Sequence, residues 1–484
     1  MTNMNMMQNH RRLYLFLLLL LLPSIALAFQ LHASHHDPIA PVILGVTGIL
    51  FVALLGRFSA RKLGLPSVLG ELVMGILIGN AAYFLQFDLI TVLREGPAIF
   101  DTMDNLLKGE ELELACLNAL GAESTWYILD ILRGPHGNEL LQVAHTVDVF
   151  SRYGIIFLLF LVGLNTSIDE MLEVGPDSSR VAIIGVLLPF ALGILVSFTL
   201  IDDISFHTSL FLGATLAATS VGITAMVLQE MKMENSEIAR IILGAAVFDD
   251  VLGLLMLAII SGIVVTGSVD LLNITVTVLM ACLFLLAAIY LGPHIIRLLV
   301  RLFRRLDLIE AKMFVSYLFV MLMAWMANLA GLATIIGAFA AGLILHDAYF
   351  DSWHNDRKCP ICIKDLIMPL EVILVPIFFV LMGLQVKLET LLQPGIMLLA
   401  TGLTLAAIVG KVLAGFGAFG VKNHFAIGIG MVPRGEVGLI FAAIGKSLGV
   451  MDDALFSSVV IMVIVTTMLS PPMFKYCLKR CRDQ

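Results

Sequence analysis

Apolar positions in this chain neither alternate with polar ones nor keep to one face of a helix. They gather into long runs with few charges, at about the 20-residue length that crosses the hydrocarbon core of a bilayer. Taken in order, the runs predict thirteen spans, near 40–57, 66–83, 153–168, 180–200, 208–229, 239–265, 271–298, 312–329, 332–349, 367–386, 395–419, 424–445 and 455–475. An outer-membrane barrel is excluded, because its strands alternate in short segments. The fold class expected is an all-α polytopic membrane protein. One long polar interruption, 84–150, separates the second span from the third. It is acidic, with Glu95, Asp101, Asp104, Glu110, Glu111 and Glu113, and is expected to be a solvated external loop carrying short helices of its own. Ahead of the first span, Arg11 and Arg12 precede an apolar stretch from Leu13 to Leu22, then Pro23, Ser24 and Ala26-Leu27-Ala28. That order predicts a signal peptide over 1–28, cleaved after Ala28.

Charge orients the spans. A mature N-terminus outside and thirteen crossings put the C-terminus in the cytoplasm. On that placement nineteen Lys and Arg fall inside, among them Arg57, Arg61, Lys62, Arg301, Arg305 and Lys479, while Arg94, Lys108, Arg133, Arg152, Lys387 and Lys446 fall outside. The inner excess is the bias of cytoplasmic loops. Residues 476–484 form a basic cytoplasmic tail, and the bacterial inner membrane is the location expected. Of the 484 residues 59% are hydrophobic and 14% charged, with a net charge of −8 and a mean hydropathy of +0.99. A soluble chain is about a quarter charged, so a soluble enzyme is excluded, and no basic arm or tail points to nucleic acid. The six cysteines make no framework. Cys359-Pro-Ile-Cys362 is a lone CxxC with His354 nearby; without a second pair it predicts no metal or redox site, and no cofactor is expected.

The chain also repeats itself. Gly64-Leu-Pro-Ser-Val-Leu-Gly70-Glu-Leu-Val-Met-Gly75 matches Gly331-Leu-Ala-Thr-Ile-Ile-Gly337-Ala-Phe-Ala-Ala-Gly342 at an offset of 267 residues, with all three glycines in register. A second echo pairs Leu161-Val-Gly163-Leu-Asn165 with Leu381-Met-Gly383-Leu-Gln385 at an offset of 220. Span two thus answers span nine, and span three answers span ten. Matching spans run in opposite directions, so the expected architecture is two inverted six-helix repeats joined by a linker helix, span seven at 271–298. That is a plan of secondary transporters, whose site lies near the midplane between the halves.

Charges inside spans mark the chemistry, since each costs about 2.5–3.5 kcal/mol on insertion scales. Span six holds Asp249-Asp250. Neighbours on a helix point about 100° apart, so one carboxylate can face a cation path while the other faces a helix. Two such groups do not both stay ionised without a cation or a basic partner, which makes proton and metal cation rivals for one site. Span five carries Thr219-Ser220-Val221-Gly222, a composition that favours a broken helix whose carbonyls and hydroxyls offer hard oxygen ligands. Span twelve carries Pro433-Arg434-Gly435-Glu436, another break, where Arg434 and Glu436 neutralise each other or the half-helix ends. Lys411, mid-way along span eleven, has Asp249 as its natural partner. Glu71 and Asn165 either line the path or satisfy helix packing. His294, His346 and His424 sit near inner span ends. An intramembrane aspartyl protease is a remote alternative: its two carboxylates share a proton about 3 Å apart, whereas consecutive aspartates splay around one helix.

At these residues the chain resembles the monovalent cation:proton antiporter superfamily, in its antiporter-2 branch of NapA- and Kef-like exchangers. The resemblance covers about 40–475. It rests on Ala218-Thr219-Ser220-Val221-Gly222-Ile223, Ala246-Val247-Phe248-Asp249-Asp250-Val251-Leu252-Gly253, Pro376-Ile-Phe378-Phe379 with Gly383, and Pro433-Arg434-Gly435-Glu436-Val437-Gly438. It implies a 13-helix NapA-like fold with two broken helices crossing at the midplane, a transport domain moving as an elevator against a dimerisation domain, and hence a homodimer. It implies that Asp250 carries cation and proton, that Asp249 pairs with Lys411, that Thr219 and Ser220 lie at the crossing, and that Arg434 and Glu436 lie in the second broken helix. The transported ions expected are H+ and Na+, with K+ or Li+ as the alternative cation, and K+/H+ antiport is the runner-up function. Kef members usually carry Gln-Asp where this chain has Asp249-Asp250, and a C-terminal nucleotide-binding regulatory domain that this chain does not show. Both departures point toward sodium.

Overall fold

The computed structural model describes residues 37–482 apart from 38, 166–174, 202, 234–235, 267–270, 304, 354–360, 392, 420 and 422. The expected signal peptide, Cys359 and His354 lie outside the described residues. In chain order the helices are α1 (Ala40–Leu63), α2 (Ser67–Phe84), α3 (Asp88–Arg94), α4 (Pro97–Leu107), α5 (Leu112–Arg133), α6 (Gly137–Asn165), α7 (Pro176–Leu200), α8 (Phe206–Ala217), α9 (Val221–Glu230), α10 (Glu237–Thr266), α11 (Leu271–Leu302), α12 (Leu308–Leu329), α13 (Thr334–Ile344), α14 (Ile363–Leu384), α15 (Leu388–Leu391), α16 (Pro394–Ala414), α17 (His424–Gly430), α18 (Glu436–Ser447) and α19 (Asp453–Arg482). Among the described residues, nine helices are long and apolar enough to cross a membrane: α1, α2, α6, α7, α10, α12, α14, α16 and α19. The expected spans at 208–229, 332–349 and 424–445 fall on shorter helices, among them the apolar α8, α13 and α18. Leu54, Leu187, Leu283, Leu286, Tyr290 and Leu405 are exposed, as an exterior solvated by lipid requires.

Two bundles account for most of the packing. In one, α1, α2, α6, α12, α13 and α14 pack together; in the other, α7, α8, α10, α16, α17, α18 and α19 do. Between them runs α11, which touches α10 on one side and α12 and α13 on the other. Small residues set the closest approaches in the first bundle, as expected where lipid and side chains are equally apolar. A methyl group on Gly75 would fall on the Val380 carbonyl, one on Gly383 on the Leu72 carbonyl, one on Gly163 on the Phe339 carbonyl, and one on Gly342 on the Phe160 carbonyl. Gly64 and Gly331 both turn the chain in the left-handed region, at φ 68° and 74°, where a residue with a Cβ is strained.

Three expectations change. The 84–150 segment is not a solvated loop: α3, α4 and α5 bury Val92, Leu93, Ile99, Cys116 and Leu129 into the main core, and α6 starts at Gly137, well before the expected span at 153. The span expected over 332–349 ends as α-helix at Ile344, because Leu345 is extended (ψ 121°) and a short 3-10 turn, Asp347–Trp353, follows. The basic tail is no separate segment either; α19 runs without a break to Arg482. Its Pro471 and Pro472 sit inside the helix.

Candidate functional site

Two helices of the second bundle are interrupted. The first break lies between α8 and α9, where Ala218 is extended (φ −64°, ψ 145°) and Thr219 and Ser220 are non-helical. The second lies between α17 and α18, over Met431 to Gly435. Pro433 has no N–H to give a helix, and Gly435 (φ −129°, ψ −138°) precedes Glu436, the first residue of α18. Each break frees backbone groups that apolar surroundings cannot satisfy. Much of that need is met by crossing one break over the other. The Ser220 N–H donates to the Pro433 carbonyl at 2.9 Å. The Thr224 hydroxyl donates to the Gly430 carbonyl at 2.6 Å, and that of Thr219 reaches the Met431 carbonyl at 3.4 Å. Gly435 permits the approach, since a side chain there would collide with Ser220.

Arg434 is fully buried. Its Nη1 donates to the carbonyls of Ala217, at 3.1 Å, and Ala218, and its Nη2 lies 3.5 Å from that of Ala407 on α16. A guanidinium thus caps the carbonyl end of α8, where the helix dipole is negative. Arg434 makes the contact with the half-helix end; the alternative, pairing with Glu436, lies outside the described residues, since the Glu436 side chain is not among them. Glu436 begins α18, whose dipole end is positive. The Arg434 carbonyl accepts a hydrogen bond from the Thr467 hydroxyl on α19.

Beside this crossing, Lys411 Nζ donates to Asp249 Oδ1 at 2.8 Å, with both side chains almost wholly buried. Asp249 Oδ2 and Arg434 Nε make no hydrogen bond among the described residues. Gly185 on α7 packs against the lysine; a methyl there would stand in ordinary contact, 3.4 Å from Nζ. Asp250 follows on α10, half-buried. Lys411 stands within electrostatic range of Asp250 and Arg434 as well as Asp249. A cavity of about 220 Å³ opens on the crossing, lined by Pro66, Leu69 and Leu72 of the first bundle and by Ser220, Arg434, Gly435, Val463 and Thr467 of the second.

The transmembrane sodium/hydrogen exchanger family matches residues 125–480. The chain belongs to the sodium/hydrogen exchanger family. It is a multi-pass membrane protein of a family of transporters rather than enzymes. This exchanger is 35% identical over 460 residues to a high-affinity Na+/H+ antiporter of Synechocystis, covering 93% of either chain. It is 31% identical over 437 residues to an Na+/H+-K+ antiporter of Bacillus cereus, covering 88% of this chain and 94% of that one. A sodium proton antiporter of Methanocaldococcus jannaschii has the same fold, with a TM-score of 0.59 over 91% of the exchanger and 99% of that chain, at 17% identity.

Other polar residues of the spans have structural partners. Glu71 is buried; its Oε1 is paired with Arg57, while its Oε2 makes no hydrogen bond among the described residues. Asn165 accepts from Lys364 at 2.9 Å on an exposed face, away from the crossing. His294 bonds the Tyr290 carbonyl at 3.0 Å, His346 is exposed, and His424 stacks on Phe416, centroids 5.3 Å apart. Cys362 is a free, exposed thiol that precedes α14. Thr224, part of the same Thr/Ser/Gly run in span five, ties one break to the other, whereas Thr467, which ties the second break to α19, carries no signal in the sequence. A threonine in an apolar run looks the same whether it bonds its own helix or another's break.

Proposed function

We propose that this chain is a secondary active monovalent cation:proton antiporter, exporting Na+ from the bacterial cytoplasm by elevator-type alternating access. One observation carries the reading: a buried Lys411–Asp249 ion pair beside two crossed helix breaks, with Asp250 next in sequence and only half-buried. A cation taken by Asp250 finds hard oxygen near the breaks, at Thr219, Ser220 and the freed carbonyls. A proton on the same carboxylate removes the charge that holds the cation. Lys411 holds Asp249 in place, and Arg434 and Glu436 offset the facing half-helix ends. Proton entry on one face then displaces sodium on the other. The relatives named Na+/H+ antiporters support the ion; the B. cereus Na+/H+-K+ antiporter keeps K+ as the second reading.

The architecture proposed is thirteen spans over 40–475 in two inverted halves, with α11 as the linker. Contacts between matching glycines support it. Adding 267 to positions in α2, and subtracting 220 from positions in α14, turns the Gly75–Val380 approach into Gly342–Phe160 and the Gly383–Leu72 approach into Gly163–Phe339. Residue i meets j while the counterpart of i meets the counterpart of j, the signature of a two-fold relation. The left-handed Gly64 and Gly331 obey the same offset. On this reading the bundle holding the crossing is the moving part, the other bundle is the face of a homodimer, 84–150 lies outside, 1–28 is a cleaved signal and the C-terminus is cytoplasmic.

The test is proton-coupled flux in everted vesicles with Na+, Li+ and K+ across pH. Sodium exchange that disappears in Asp250→Asn is the expected result. Full exchange in that variant overturns the carrier assignment, and flux with K+ alone overturns the choice of ion.

A further inference from the structure

Away from the crossing, at the end where α2, α14 and α18 finish and α19 begins, charged groups of the two bundles meet. Lys387, between α14 and α15, donates to Glu95 at 3.0 and 2.9 Å and pairs with Asp453 of α19 at 2.6 Å. Lys446 of α18 pairs with the other oxygen of Asp453 at 2.8 Å and reaches Gln385 at 3.4 Å. The Lys387 backbone N–H donates to Ser457 of α19 at 3.2 Å. On the first-bundle side the same segment is anchored by Asn80 of α2, which bonds the Val386 carbonyl at 2.9 Å and the Leu388 N–H at 3.1 Å. Asn80 is itself held by buried Arg94 at 2.8 Å, and Arg94 pairs with Glu389.

Two features set this cluster apart from surface ion pairs. Its lysines are 11% and 7% exposed, and their partners come from both bundles. It also lies across the crossing from the cavity. The cavity is lined by the start of α2, at Pro66 to Leu72, and by Val463 and Thr467 in the body of α19; the cluster takes the end of α2, at Asn80, and the start of α19, at Asp453 and Ser457. One end of the bundle interface is pinned by charge while the other opens toward the site.

We infer that Lys387, Lys446, Asp453 and Glu95 form a latch between the two bundles at the outer face, and that it must part each time the site turns outward. These are positioning residues: they act on the exchange reaction by setting which side the site faces. The inference rests on the alternating-access reading above. Closed, the latch keeps the crossing reachable from the inner face. Open, it exposes Asp453 and the two lysines to water, where their hydration replaces the lost pairs. A pair network of this kind sits near balance, since burial weakens what each ion pair contributes, and a near-balanced contact can cycle.

The experiment reads access directly, without needing transport. In full-length protein whose native cysteines are replaced, Val463→Cys gives the cavity a reporter thiol, and a membrane-impermeant maleimide is applied to each face of reconstituted vesicles. With the latch intact, labelling from the inner face dominates. Adding Asp453→Asn raises outer-face labelling by about fivefold or more, the lower edge of ordinary coupling between sites, and lowers inner-face labelling. A merely structural role lowers or raises both together, and equal changes on the two faces overturn the inference. A second variant guards against misfolding: Glu95→Cys with Asp453→Cys, bridged by a short reducible bifunctional thiol reagent. Exchange that stops on bridging and returns on reduction supports the latch. Exchange undiminished in protein shown to be bridged overturns it. Should the unsubstituted protein itself show no cation/proton exchange while labelling of the reporter protein still switches faces, the antiport reading fails and the latch stands.

Discussion

The crossing and the Lys387–Asp453 cluster use the same residue types for opposite ends. At the crossing one lysine meets one aspartate, Lys411 and Asp249, with Asp249 Oδ2 and Arg434 Nε left without hydrogen bonds among the described residues. At the cluster Lys387 shares itself between Glu95 and Asp453, and Asp453 between Lys387 and Lys446. Charge held in place with spare bonding capacity suits a site that must accept a cation or a proton. Charge spread over several partners suits a mechanical contact. Counting ion pairs would rank the Lys387–Asp453 cluster as the functional centre; a buried ion pair beside two helix breaks, with a further carboxylate next in sequence, ranks the crossing first.

The hardest test of that distinction is Asp250→Asn. It should bring proton-coupled sodium flux in everted vesicles to background, whereas Asp453→Asn should leave exchange measurable and change its sidedness. Equal loss in both variants would erase the difference between the regions.

Next in size is the buried pair. Lys411→Ala strands the Asp249 carboxylate away from water, at a cost of about 3–5 kcal/mol for a broken buried pair. Asp249→Asn combined with Lys411→Ala should recover much of that stability, because two neutral groups leave no uncompensated charge. Thermal unfolding of the three variants in detergent measures the coupling. If the double variant is as unstable as Lys411→Ala alone, the pair is not what holds this part of the core.

A smaller effect belongs to Thr467. Thr467→Val removes the hydroxyl that bonds the Arg434 carbonyl and leaves that carbonyl buried and short of a donor, about 1–3 kcal/mol. Thr467→Ser should restore both the unfolding temperature and the apparent sodium affinity. A serine variant that behaves like valine would show that the methyl group, not the hydroxyl, matters there.

How far these regions could be read from sequence follows from what each depends on. Asp249, Asp250, Lys411 and Arg434 are conspicuous because a charge is too costly in an apolar run to persist there without a use. The breaks are legible because Pro433 and Gly435 disfavour helix locally. The Lys387–Asp453 cluster is not legible: Glu95, Lys387, Lys446 and Asp453 lie outside the apolar runs, where charges are ordinary, and only the chain's return from four directions brings them together. The same reason hid the packing of 84–150. Its acidic residues suggest solvent, but Val92, Leu93, Ile99 and Cys116 recur between them and turn inward. Composition averaged over the segment masked that periodicity.

The smallest expected effect completes the series and sits in that segment. Arg133 and Glu113 pair at 2.9 Å with both side chains 55% exposed. An exposed pair contributes about 0–1 kcal/mol and is screened by salt. Arg133→Gln should therefore leave both the unfolding temperature and the sidedness of labelling at Val463→Cys unchanged. Lys387 and Glu95 meet at the same 2.9 Å, so distance does not separate the two pairs; burial does, together with the second partner of Lys387, Asp453 in the other bundle. A shift of labelling in Arg133→Gln would mean that the external helices as a whole, rather than the four latch residues, govern which face the site opens to.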